Sequence, residues 1–175
     1  EELISDFKAI TAGRQSAPIE SSNQVKSPEH IFLEEGAEVE HSILNASDGP
    51  IYIGKQAKIL DGCMLRNGVA LCDKAVLKMG AKVYGATTIG PGSKIGGEVK
   101  NAVIFGNSNK SHDGYLGNSV IGEWCNLGAN TNNSNMKNNY SQVKVWDYTE
   151  DAYTNSGEQF CGLVMGDHTK CGINT

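Results

Sequence analysis

With 175 residues, 39% of them apolar but only 7% aromatic, the chain has the length of one domain yet lacks the large side chains of a conventional globular core. A formal charge of −5 leaves no basic stripe for nucleic acid, and no stretch approaches the roughly 20 apolar residues of a membrane span or reads as a signal-peptide core. The 21 glycines against 4 prolines, without low complexity, point to turns rather than disorder.

Leu3, Ile4, Phe7 and Ile10 fall on one face of a helix, and Gly13 supplies its C-terminal stop. Residues 14–30 read as an extended linker. This divides the chain into a helix and linker over 1–30 and a repeat domain over 31–175. Hexads begin at Leu33/Ala37 and Val39/Ile43, with an extra segment from Asn45 to Pro50. From Ile53 every sixth residue is aliphatic: Ile53, Ile59, Leu65, Leu71, Leu77, Val83, Ile89 and Ile95. Four places after each stands a small or β-branched residue: Ala57, Cys63, Val69, Ala75, Ala81, Thr87, Ser93 and Val99. A period of six suits neither a helix, at 3.6, nor a simple strand, at 2. A β-sandwich would instead show turn signals every 8–12 residues.

From Ile95 to Ile121 the count exceeds a whole number of hexads by two, so the register slips. The polar run Asn107–Tyr115 is the expected place. Read alone it is either a solvated surface loop or a bulge given over to something other than packing. Hexads resume at Ile121/Cys125 and Leu127/Thr131. An excursion over 130–163 follows, rich in asparagine at its start. Within it Val143–Trp146 and Phe160–Val164 read as the two strands of a hairpin, with a turn between them. Repeats return at Met165–Gly166 and Cys171–Gly172. The tail stops inside a hexad with no cap over the strand edges, and the expectation is a protein that continues past Thr175 and begins before Glu1. Cys63, Cys72, Cys125, Cys161 and Cys171 are odd in number and lack C-x-x-C spacing, which fits reduced thiols of a cytoplasmic protein. No metal site is expected, since His30, His41, His112 and His168 lack the spacing of a three-histidine centre.

An aliphatic at i and a small residue at i+4 resemble the hexapeptide-repeat proteins, whose fold is a left-handed parallel β-helix with three hexads to a coil of eighteen. In that geometry residues eighteen apart stack on coils about 4.8 Å apart. The stretch His112 to Asn135, HDGYLGNSVIGEWCNLGANTNNSN, resembles more closely the active-site segment of the bacterial bifunctional UDP-N-acetylglucosamine pyrophosphorylase/glucosamine-1-phosphate N-acetyltransferases, in a divergent branch. Their pattern is H-x-x-Y-[LI]-G, then G-x-x-x-N-[IL]-G-A, then a loop with N-Y.

The resemblance implies an acetyl-CoA-dependent N-acetyltransferase acting on an amino-sugar phosphate, and a place in UDP-N-acetylglucosamine biosynthesis. It implies a homotrimer with sites between subunits, and a nucleotidyltransferase domain ahead of the β-helix in the full-length protein. His112 matches the general base; Tyr115, Asn126 and Asn135 match sugar-binding positions. Lys100 matches a substrate-binding lysine, and Lys82, where the family has arginine, stands eighteen residues before it. If stacked, the two lysines form either a plain surface pair or a clamp for a phosphate dianion. Met136 replaces the loop tyrosine, and Ile173 a small polar residue near acetyl-CoA. The other implied function is a non-catalytic trimerisation or regulatory module beside a nucleotidyltransferase. The stretch as given, lacking the later coils, is expected to be inactive alone.

Overall fold

A computed structural model describes residues 2–175. The hexads wind into a parallel β-helix with three faces. The first carries Gln24–Lys26, Ile43–Asn45, Met64–Arg66, Lys82–Tyr84 and the leading halves of Glu98–Ile104 and Tyr115–Ile121. The second carries Ile31–Leu33, Ile51–Ile53, Val69–Leu71, Thr87–Ile89, the trailing halves of the same two long strands, and Val164–Met165. The third carries Glu38–Val39, Lys58–Ile59, Val76–Leu77, Lys94–Ile95 and Asn109–Lys110. Ile53, Leu71 and Ile89 stack in register, as do Ile59, Leu77 and Ile95. All the aliphatic hexad positions from Ile53 to Ile95 are buried, and so are the small partners from Ala57 to Ser93. Aliphatic side chains stacked through successive coils keep water out of the prism, each contributing about 1.5–3 kcal/mol.

The interior also explains where the register departs from eighteen. Val83 pairs with Val99 and not with residue 101, so Val99 begins a new hexad and is not the small partner of Ile95. The missing residues lie at Gly96–Gly97 and at two corners turned by Asn101 and Asn118, both in the left-handed region at φ 48° and 50°. Ile104, Lys110 and Leu116 then follow at regular intervals of six, so Asn107–Tyr115 is an ordinary piece of coil and no bulge. Earlier in the chain, His41 at φ 49° shortens another corner. There Ser42 is buried, Ile43 turns outward, and Leu44 takes the interior place opposite Leu65. Asparagine tolerates the left-handed region because its short amide bonds locally, which lets a corner close with one residue fewer.

The helix Glu2–Thr11 ends at Gly13 (φ 68°). The segment after it does not float free. Ala17 N–H donates to the Leu33 carbonyl at 2.9 Å, and Gln24–Lys26 extends the first face beside Ile43–Asn45. Arg14 anchors the segment: its guanidinium pairs with the buried Glu34 carboxylate and lies 5.1 Å from the Phe32 ring centre. Tyr52 donates a 2.7 Å hydrogen bond to the same carboxylate. The Arg14 hydrogen bond holds the Glu34 carboxyl below the usual carboxylate range, against the opposing push of burial. A depressed folded pKa contributes stability above the unfolded value, and this is lost as pH falls through the folded value. Glu34→Gln is therefore expected to melt earlier than wild type near pH 7, with the gap closing as pH drops below about 4. Thermal unfolding across that range reads the outcome; a gap independent of pH would remove the ion pair from the account.

Candidate functional site

Along the first face, side chains alternate in and out, so each coil offers two outward positions. One outward column reads Lys82, Glu98, Tyr115 and the other Tyr84, Lys100, Gly117. Lys82 and Lys100 therefore do not stack: the coil between them is two residues short of eighteen, and Tyr84 takes the place beside Lys100. The Lys100 ammonium stands 5.7 Å from the Tyr84 ring centre. Tyr84 donates a 2.6 Å hydrogen bond to Glu98, and that bond, with burial adding, pushes the phenol up to about 12. A carboxylate thus sits in the column between Lys82 and Tyr115.

The asparagine-rich segment stays on the coil before it leaves. Tyr115 N–H donates to the Asn132 side chain at 2.8 Å, and Gly117 N–H to the Asn133 side chain at 2.9 Å. Asn133 returns bonds to the Gly117 carbonyl and the Ser119 hydroxyl. Side-chain amides here supply donors and acceptors that a strand ladder normally supplies. Asn135 donates to the Tyr115 hydroxyl at 3.0 Å and to Asn118 at 2.7 Å. Tyr115 is left with a phenolic proton free for a ligand. The chain comes back through Cys161 and Gly162, whose N–H groups donate to Asn135 and Asn118 carbonyls. A Cβ at Gly162 would stand 2.0 Å from the Gly117 carbonyl oxygen, so only glycine permits this crossing. Between the two passes, Lys144–Asp147 pairs antiparallel with Ala152–Asn155, and Trp146 meets Tyr153 edge-on at 5.2 Å. The second hairpin strand lies inside the stretch expected as a turn, while Val164–Met165 rejoins the second face.

The candidate residues divide around one edge of the prism. Lys100, Tyr115 and Asn135 lie on the first face, with Lys82 further up it. His112 is exposed on the edge between the third and first faces, and its carbonyl accepts a 2.8 Å hydrogen bond from the Lys110 ammonium. Asn126 lies across that edge on the third face, bridging Asn109 and Lys170 through its backbone. Glu98 escaped the sequence reading, although it precedes Lys100 by two on an outward-alternating strand. Lys110 escaped it because the misplaced slip hid its interior position. Among the described residues no group of three or more His, Cys, Asp or Glu converges as a metal site would, and no helix is long and apolar enough to cross a membrane.

Fold and edge together define a hexapeptide-repeat β-helix with a polar, histidine-bearing corner. No protein-family model matches the chain. Curated relatives do. The bifunctional protein GlmU of Methanocaldococcus jannaschii is 37% identical over 76 residues, 43% of this chain and 18% of that protein. The bifunctional sugar-1-phosphate nucleotidylyltransferase/acetyltransferase of Sulfurisphaera tokodaii is 38% identical over 84 residues, 47% of this chain and 20% of that protein. The GlmU of a Jannaschia species is 28% identical over 141 residues, 74% of this chain and 30% of that protein. The chain thus spans less than a third of the length of each, and within that span it is similar to bifunctional proteins of the GlmU type.

Proposed function

We propose that this β-helix is the N-acetyltransferase part of a larger sugar-nucleotide-synthesising protein, using acetyl-CoA to acetylate an amino-sugar phosphate of the glucosamine-1-phosphate kind. The observation that carries the reading is the exposed His112 imidazole on the prism edge, with Tyr115 and Asn135 paired on the face beside it. The name of the Sulfurisphaera tokodaii relative, which pairs nucleotidylyltransferase with acetyltransferase, supports it.

In this reading the acceptor's amine attacks the thioester carbonyl. A nitrogen–carbon bond forms as the carbon–sulfur bond breaks; His112 takes the amine's proton, and coenzyme A leaves as its thiol once protonated. An imidazole suits the task because it changes charge near neutral pH. Lys100, with Lys82 further along, offers cations to the sugar phosphate, and Glu98 offers a carboxylate to the amine while it is still an ammonium. Tyr115 and Asn135 hold the sugar through hydroxyl and amide groups. Asn126, across the edge, completes the site where a neighbouring subunit closes over it, which calls for a homotrimer. The full-length protein carries a nucleotidyltransferase domain and works in the cytoplasm.

Acetyl transfer from acetyl-CoA to a panel of hexosamine-1-phosphates by the full-length protein tests the reading. Turnover with at least one of them is expected. No transfer to any, by a folded protein, would leave the β-helix a non-catalytic trimerisation or regulatory module; Met136 and Ile173, the departures from the family's pattern, favour that second reading.

A further inference from the structure

One interior column on the third face runs Val39, Ile59, Leu77, Ile95, and then Lys110, with Leu127 in the next coil. Lys110 is only 2% exposed. A cation in an aliphatic column is costly unless something satisfies it. Its ammonium donates to the Gly96 carbonyl at 3.0 Å and the His112 carbonyl at 2.8 Å. Burial lowers its pKa to about 8, against the opposing pull of Asp113.

The neighbouring coils explain why a lysine sits there. Where the chain turns from the third face to the first, a small inward side chain fills the corner: Ala81 does so without a hydrogen bond, and in two earlier coils the side chain also reaches a corner carbonyl of the next coil. Ser42 donates to the Leu60 carbonyl in this way, and Cys63 to the Lys78 carbonyl. The Gly96–Gly97 corner is two residues short and carries no such side chain. As at Gly54, Gly90, Gly122 and Gly128, the next coil lies very close: a Cβ on Gly96 would stand 2.4 Å from the Ser111 carbonyl oxygen, and at this corner one on Gly97 would also stand 2.9 Å from the Lys110 ammonium. The long lysine side chain enters from the coil below and fills the vacated corner.

We propose that Lys110 is a positioning residue for His112: its ammonium ties the short Gly96–Gly97 corner to the His112 carbonyl and so fixes the turn from which the imidazole projects. This rests on His112 being the base. It goes beyond that reading by naming an interior group, touching neither substrate, on which turnover depends.

Lys110→Met in the full-length protein keeps the column filled between Ile95 and Leu127 but removes every donor. A misplaced base lowers turnover with little effect on acceptor binding, so kcat is expected to fall about ten- to a hundred-fold with KM within about three-fold. The melting temperature should hold or rise, since the buried charge is gone. Amides of residues 111–114 should exchange with solvent about ten times faster, those elsewhere unchanged. Lys110→Gln, which retains an N–H donor, should recover part of kcat. Unchanged kcat together with unchanged exchange at 111–114 overturns the proposal. So does a large fall in melting temperature for Lys110→Met, because the lysine would then hold the solenoid and not the turn. Should wild type itself transfer no acetyl group, the reading of His112 fails, while the exchange rates still report whether the tie exists.

Discussion

His112→Ala in the full-length protein is expected to lower acetyl transfer by roughly 10²–10⁴-fold, the range spanned by a positioned general base. In the proposed reaction the acceptor amine is mostly protonated near neutral pH, and without an imidazole its proton would pass to water at a less favourable geometry. The substitution should spare the fold. The imidazole is exposed, and the contact that anchors this turn belongs to the backbone: the His112 carbonyl accepts from Lys110 at 2.8 Å, a bond alanine keeps. Acceptor affinity should change little, because Lys100, Tyr115 and Asn135 lie on the face beside the edge. Steady-state rates with matched melting curves decide the matter. Near-wild-type transfer by the folded variant would remove His112 from the chemistry.

The part of the fold that was legible in the sequence is the part in which every coil holds eighteen residues. From Ile53 to Ser93 both inward positions of each hexad are occupied by residues that the prism interior demands, and all are buried. Legibility ended where a corner lost residues. A turn made by Asn101 or Asn118 looks, in the sequence, like any surface asparagine, and the lost residue shows only when Ile104 is seen to pair with Ile89, and Ile121 with Ile104. His41 hid its corner in the same way and sent Ile43 outward in place of Leu44. Counting in sixes across such corners put the slip at Asn107–Tyr115, a regular stretch in the structure.

The candidate site follows the same division. His112, Tyr115 and Asn135 came from a local pattern that needs no long-range register, and the Tyr115–Asn135 hydrogen bond is a contact such a pattern can anticipate. Lys82 and Lys100 were paired by counting eighteen across a short coil, which failed for the reason just given. Glu98 and Lys110 depend on which way a side chain faces. That requires the corrected register, under which Glu98 points out beside Tyr84 and Lys110 points into the prism.

The second large effect concerns the interior. Leu77→Ala should destabilise the protein by about 3 kcal/mol, well inside the range of 2–5 kcal/mol for large-to-small core changes. Leu77 is fully buried and stacks between Ile59 and Ile95. The spread in such costs reflects how far the surroundings collapse into the vacated space. Here they can collapse little, because parallel ladders on three faces hold adjacent coils about 4.8 Å apart. The cavity persists, and its lining loses dispersion contacts. Met79, in the same coil but 70% exposed, provides the control: Met79→Ala should stay within about 0.5 kcal/mol of wild type. Because each coil of a solenoid contacts chiefly its neighbours, the loss should also be local. Hydrogen exchange should accelerate in the coils of Ile59 and Ile95 before it does around Tyr115 and Asn135. Denaturant unfolding of the two variants measures the energies. A Leu77→Ala protein as stable as Met79→Ala would mean that the interior relaxes freely and that the ladders do not set the coil spacing.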